Sequence, residues 1–170
     1  LTCYDERDAM KRIVERIAVG SPPSIALRGI ERFLDAKKKS GLELVVPLKS
    51  LGLPTELGVE RPVTVNFLAG RRNKLMIGRR HEQIDLEWKP KGGGPYPTFK
   101  GTITIRPLSG QTELELKGSY EPPFGALGAA FDALAGNKLA RATAQALLAE
   151  IKGELEREYA SFKDAIETAP

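Results

Sequence analysis

The stretch Gly118-Ser119-Tyr120-Glu121-Pro122-Pro123-Phe124-Gly125-Ala126-Leu127-Gly128, GSYEPPFGALG, ends one kind of structure and begins another. Its first residues continue a strand-like alternation. Pro122 and Pro123 then stop any ladder, because each lacks a donor and has a fixed φ, and Pro122 disfavours helix at Glu121. Gly125, Ala126, Gly128, Ala129 and Ala130 keep the next turns thin. A thin segment either approaches a sheet closely or leaves space beneath it.

Upstream of this break the chain alternates. Ile84, Leu86 and Trp88 interleave with Gln83, Asp85, Glu87 and Lys89. Phe99, Ile103 and Ile105 oppose Lys100, Thr102, Thr104 and Arg106, while Leu114, Leu116 and Tyr120 oppose Glu113, Glu115, Lys117 and Ser119. A period of two with charge on one side predicts an antiparallel sheet, wet on one face and covered on the other. Val63, Val65 and Phe67 start the same pattern earlier. Turn signals at Gly70 to Asn73, Gly92-Gly93-Gly94-Pro95 and Ser109-Gly110 separate the runs into a meander. Residues 42–48 read as a further strand, which Pro47 pushes to an edge because it cannot donate to a central ladder.

Downstream the period changes. Leu127, Phe131, Leu134, Leu139, Thr143, Leu147, Ile151 and Leu155 recur at helical spacing, so a long amphipathic helix follows the prolines. Gly136-Asn137 either ends a first helix or kinks one continuous helix, since both residues tolerate left-handed geometry. The tail with Tyr159, Phe162 and Ile166 extends that helix, and dimerisation through it is one reading. At the other end, Ser21-Pro22-Pro23 reads as a helix start with a serine cap. Ile25, Ala26, Ile30, Phe33 and Leu34 form its stripe, and Lys37 to Lys39 suit the negative end of its dipole. Residues 11–19 fit both a helical stripe and a β-branched strand, and periodicity does not separate the two.

The 170 residues, 41% of them hydrophobic, amount to a single domain over 1–170 that can bury a continuous core. A net charge of +4 favours anionic partners slightly and falls short of a nucleic-acid footprint. Cys3 is the sole cysteine, which excludes an internal disulfide and an all-cysteine zinc site and places the chain in a reducing, cytoplasmic setting. No run approaches the roughly 18 apolar residues of a membrane span, and residues 1–20 carry charges throughout, unlike a secretory leader. Leu1 stands where an initiator methionine would, which leaves the native start open.

Taken together, HEQIDLEWKP (81–90), YPTFKGTITIRP (96–107) and TELELKGSYEPPFGALGAAFDALAGNKLARATAQALLAEI (112–151) resemble the helix-grip fold of the START-like, or SRPBCC, superfamily. This superfamily includes birch-pollen-allergen-like proteins, lipid-transfer START domains and polyketide cyclases. The likeness covers about residues 11–160 in element order and 81–151 in motif. It implies an α+β fold, with a curved antiparallel sheet of six to seven strands wrapped around a long C-terminal helix and an N-terminal helix after the first strand. It also implies that 11–19 is a strand lying beside the last one. Only six strands are clear, so a seventh would have to come from residues 73–89, split or bent around Gly78.

The same resemblance implies a ligand space between sheet and helix, lined by Phe67, Leu86, Trp88, Phe99, Ile105, Leu116, Tyr120, Phe124 and Phe131. Close packing of the thin segment is the alternative, because alternation nominates inward residues without showing that anything is empty. Binding of a hydrophobic or amphipathic, lipid-like molecule by a noncatalytic carrier or sensor is the first expectation, with no cofactor and no metal. The second is a polyketide cyclase or dehydratase that uses Tyr120 with Glu121, Asp132 or His81. The third is a protein-interaction module with a peptide in the groove.

Two further features have plainer readings beside the functional ones. His81 is the sole histidine and the simplest general base at neutral pH, but no serine or cysteine nucleophile motif surrounds it, so a rim position is expected. Arg71, Arg72, Lys74, Arg79 and Arg80 suit an anionic surface or head group, yet charges on exposed strands ordinarily guard against edge association. No aromatics interleave them, which disfavours nucleic acid. The GGGP loop lacks the following Lys-Ser/Thr of a phosphate loop and reads as a hairpin connection.

Overall fold

Strands with one apolar and one charged face associate edge to edge and then need something to cover the apolar side. The computed structural model shows this arrangement, and it describes residues 11–47, 51–52, 60–76, 79–94, 96–122 and 135–168. The strands are β1 (Lys11–Val19), β2 (Leu42–Pro47), β3 (Glu60–Met76), β4 (Arg79–Pro90), β5 (Thr98–Leu108) and β6 (Gln111–Glu121). Helix α1 (Pro23–Lys37) follows the first strand, and α2 (Asn137–Glu167) closes the chain. The sheet order is β1-β6-β5-β4-β3-β2 with every pairing antiparallel. The architecture is an α+β helix-grip layout.

Residues 11–19 form a strand. β1 pairs with β6 along its whole length, from Lys11 opposite Tyr120 to Val19 opposite Thr112. The ambiguity of its sequence has a physical origin. At an edge over a helix its inward residues Ile13 and Val19 are buried, whereas its outward Val14 is exposed, so the alternation is imperfect. β2 is the opposite edge, as Pro47 requires.

The structure corrects three details. Gly70 to Asn73 do not form a turn: they lie inside β3, where the register jumps from Phe67 opposite Leu86 to Arg71 opposite Ile84. β3 thus carries extra residues against β4, a bulge that glycine accommodates. Met76 instead pairs with Arg79, which splits residues 73–89 between two strands and gives six strands among the described residues. Ser21 does not cap α1. Pro22 occupies the cap position, and its carbonyl accepts from the Ile25 and Ala26 amides at 3.0 and 2.9 Å. The Ser21 carbonyl instead accepts from the Thr112 hydroxyl at 2.8 Å, tying the helix start to β6.

α2 buries Leu139, Ala140, Thr143, Ala144, Leu147, Leu148, Ile151 and Leu155. It draws close to β1, β2 and β6 and stands farther from the middle strands, as it must when a curled sheet presents both edges to one helix. Its side chains also satisfy the open edge of β1. Lys152 Nζ donates to the Ala18 carbonyl at 2.9 Å, and the Gly20 amide donates to Glu156 at 2.8 Å. α1 crosses α2 at Gly29, where a Cβ would meet Leu155 Cδ2 at 2.6 Å. Gly136 has right-handed helical dihedrals (φ −58°, ψ −46°), so the left-handed break is absent there. The thin segment 123–134 lies outside the described residues. Past Leu155 none of the helix's described residues is buried, and Phe162 and Ile166 are exposed.

Candidate functional site

The strand registers assemble one continuous apolar face. Leu42, Val65, Trp88, Phe99 and Tyr120 form one cross-strand row, Phe67, Leu86, Gly101 and Gly118 the next, and Ile84, Ile103 and Leu116 the one after. Ile105 and Leu114 follow. Apart from half-buried Phe67 and the two glycines, all these side chains are buried. Of the residues nominated from sequence, Leu86, Trp88, Phe99, Ile105, Leu116 and Tyr120 therefore share the inner face. Phe67 shares it too, and α1 engages it: its ring meets Phe33 edge-on at 5.7 Å. Phe124 and Phe131 lie outside the described residues.

One device shapes this face. Gly101 and Gly118 sit opposite each other, and the Phe99 ring folds over both, with its Cζ 2.5 Å from where either Cβ would be. Only residues without a Cβ fit beneath that ring. Its stacking partner is the Trp88 indole, 3.9 Å between centroids and 11° from parallel. Two aromatic rings and a pair of glycines thus replace a row of ordinary aliphatic side chains in the middle of the curl.

The inner space also contains polar groups. The Tyr96 hydroxyl lies 2.5 Å from Thr143 Oγ1, and Thr143 in turn donates to the Leu139 carbonyl at 2.7 Å. The threonine proton is committed to the carbonyl, so tyrosine is the donor. This bridge ties the β4–β5 loop to α2. Gly92, Gly93 and Gly94 bring the chain there with φ of 79°, 73° and 99°, which other residues rarely adopt. Tyr96 escaped the sequence reading because it falls in a loop, although an aromatic between Pro95 and Pro97 was a usable signal. Near the β1 edge, Glu15 accepts from Arg141 at 2.6 Å and Gln145 at 3.1 Å, so its inward carboxylate is already engaged. The Trp88 Nε1–H, by contrast, is buried without a hydrogen-bond partner among the described residues.

The outer face is different in kind. Glu115, only 7% exposed, accepts from Arg16 at 2.6 Å and from Arg106 at 2.7 Å, and Thr102 donates to Asp85 at 2.8 Å. A hollow of about 530 Å³ between α1 and α2 is bordered by Phe33 and Ala36 as well as by the charged Arg32, Glu150, Glu154 and Arg157.

The residues suggested for cyclase chemistry do not converge. Glu121 follows Tyr120 in β6, so it points to the opposite face, and it is exposed. His81 pairs with Lys74 near the β3–β4 hairpin, whereas Tyr120 shares a row with Trp88, seven positions along β4. At strand rise that separation is about 23 Å. Asp132 lies outside the described residues. No cluster of three or more His, Cys, Asp or Glu occurs among the described residues, and none of their helices is long and apolar enough to cross a membrane.

No family model and no curated protein matches the chain. Several solved structures do. The crystal structure of Ara h 8.0201 is 10% identical, with a TM-score of 0.48 over 89% of this chain and 99% of that one. A protein from Chromobacterium violaceum is 16% identical, with a TM-score of 0.44 over 85% and 96%. The Zhui aromatase/cyclase from a Streptomyces species is 13% identical, with a TM-score of 0.42 over 88% and 93%.

Proposed function

We propose that the protein encloses a hydrophobic or amphipathic, lipid-like small molecule between the inner face of its sheet and its C-terminal helix, as a noncatalytic carrier or sensor in the cytoplasm. The observation that carries this reading is the spacing of α2. The helix bears on β1, β2 and β6, while the middle strands, which hold Leu86, Trp88, Phe99 and Ile105, stand farther from it. Sites for apolar ligands are concave and lined by aromatic and aliphatic side chains with few polar groups, and this face has that composition. Phe67, Leu86, Trp88, Phe99, Ile105, Leu116 and Tyr120 are its lining in this reading. The scatter of Tyr120, Glu121 and His81 over different faces and ends of the sheet favours binding over catalysis.

Trp88 is the only tryptophan in the chain, so its emission reports on this face alone. Titration with N-phenyl-1-naphthylamine, a neutral apolar dye, is expected to give saturable one-to-one binding with energy transfer from Trp88. A linear, non-saturating response with undiminished tryptophan emission would contradict the proposal.

A further inference from the structure

Buried donors in folded proteins nearly always have a partner, because an N–H taken out of water and left unpaired forfeits its hydration. The indole of Trp88 is fully buried, donates only through Nε1, and has no acceptor among the described residues. Its ring face is committed to Phe99. The neighbouring polar bridge is closed, since Tyr96 donates to Thr143 and Thr143 to Leu139. An open hydrogen-bonding valence in this row therefore sits on Trp88, and it calls for an acceptor.

Charge narrows the kind of acceptor. Among the residues whose side chains are described no lysine or arginine is buried, and the inward Glu15 is held by Arg141 and Gln145. A carboxylate or phosphate brought to the indole would find no counterion among those side chains, and a buried charge without one costs far more than one hydrogen bond returns. A neutral oxygen carries no such penalty.

We infer that Trp88 Nε1 is the polar recognition point of the inner face, and that the ligand is an apolar molecule bearing a neutral carbonyl, as in a ketone, ester or lactone. This rests on the enclosure of an apolar ligand proposed above. The carbonyl lies at the row of Trp88 and Phe99, and the hydrocarbon runs toward Leu86, Ile103 and Leu116.

The test uses the full chain labelled with isotopic nitrogen in tryptophan, which yields one indole N–H resonance. Methyl heptyl ketone is compared by calorimetry and by that resonance with its methylene isostere, in which C=CH2 replaces C=O, and with homologues of each. The expected result is a downfield shift of the indole proton with the ketone only, and affinity for the ketone about tenfold above the isostere. Trp88→Phe, which keeps a stacking ring, is expected to abolish the preference for the ketone over the isostere. Equal affinities with an unmoved indole resonance would overturn this inference and leave the enclosure reading standing. Failure of every homologue of both series to bind would overturn the enclosure reading and this inference with it.

Discussion

Gly101 and Gly118 face each other across β5 and β6, and the absence of a Cβ on both lets the Phe99 ring lie over the backbone and stack on Trp88. Glycine is ordinarily a weak strand residue, because it costs entropy and contributes no packing. Here the ring replaces the missing side chains, so the pair widens the curl without exposing the ladder.

Gly118→Ala tests this directly. Its Cβ would fall 2.3 Å from the Lys100 carbonyl oxygen and 2.6 Å from Gly101 Cα, and backbone cannot yield as a side chain can. A loss of about 1–3 kcal/mol is expected in urea unfolding. Adding Phe99→Leu should not restore it, because the backbone contacts remain. Full stability of Gly118→Ala would show that the two strands are not held this close.

The Tyr96–Thr143 bridge predicts unequal single mutants. Tyr96→Phe removes one donor and should cost about 1 kcal/mol. Thr143→Val removes both the bond to the tyrosine hydroxyl and the bond to the Leu139 carbonyl and should cost more, up to about 3 kcal/mol. The double variant should be less destabilised than the sum, which a double-mutant cycle reads out. Strict additivity would mean that the two groups are not coupled.

On the outer face, the two arginines around Glu115 are partly solvated, with side-chain exposures of 57% for Arg16 and 37% for Arg106. Arg16→Ala alone should therefore change stability by less than about 1 kcal/mol. Removing Arg16 and Arg106 together leaves a buried carboxylate with neither partner and should cost about 1–3 kcal/mol. Equal effects of the single and double variants would show that Arg106 does not support the carboxylate once Arg16 is gone.

The strands and their inward residues were legible because the sheet has one wet face. Wherever a strand meets solvent on one side only, alternation survives, as in β4, β5 and β6. It faded where that condition failed. β1 is a ladder on one side and a helix-covered edge on the other, so its nine residues supported two templates. The β3 bulge hid a strand behind a turn signature, since glycine serves both purposes. Thr143 stood out in an apolar helical stripe, yet only three dimensions show that its partner is Tyr96, far away in sequence. The unpaired donor of Trp88 could not be read at all, because satisfaction of a hydrogen bond depends on what surrounds it rather than on spacing.

Enclosure of an apolar molecule is tested most directly by native mass spectrometry of the protein purified without detergent. The account predicts a species heavier than the 18.6 kDa chain by the mass of a small apolar compound, which dissociates on denaturation. Repeated preparations showing the bare chain mass in both conditions would contradict it.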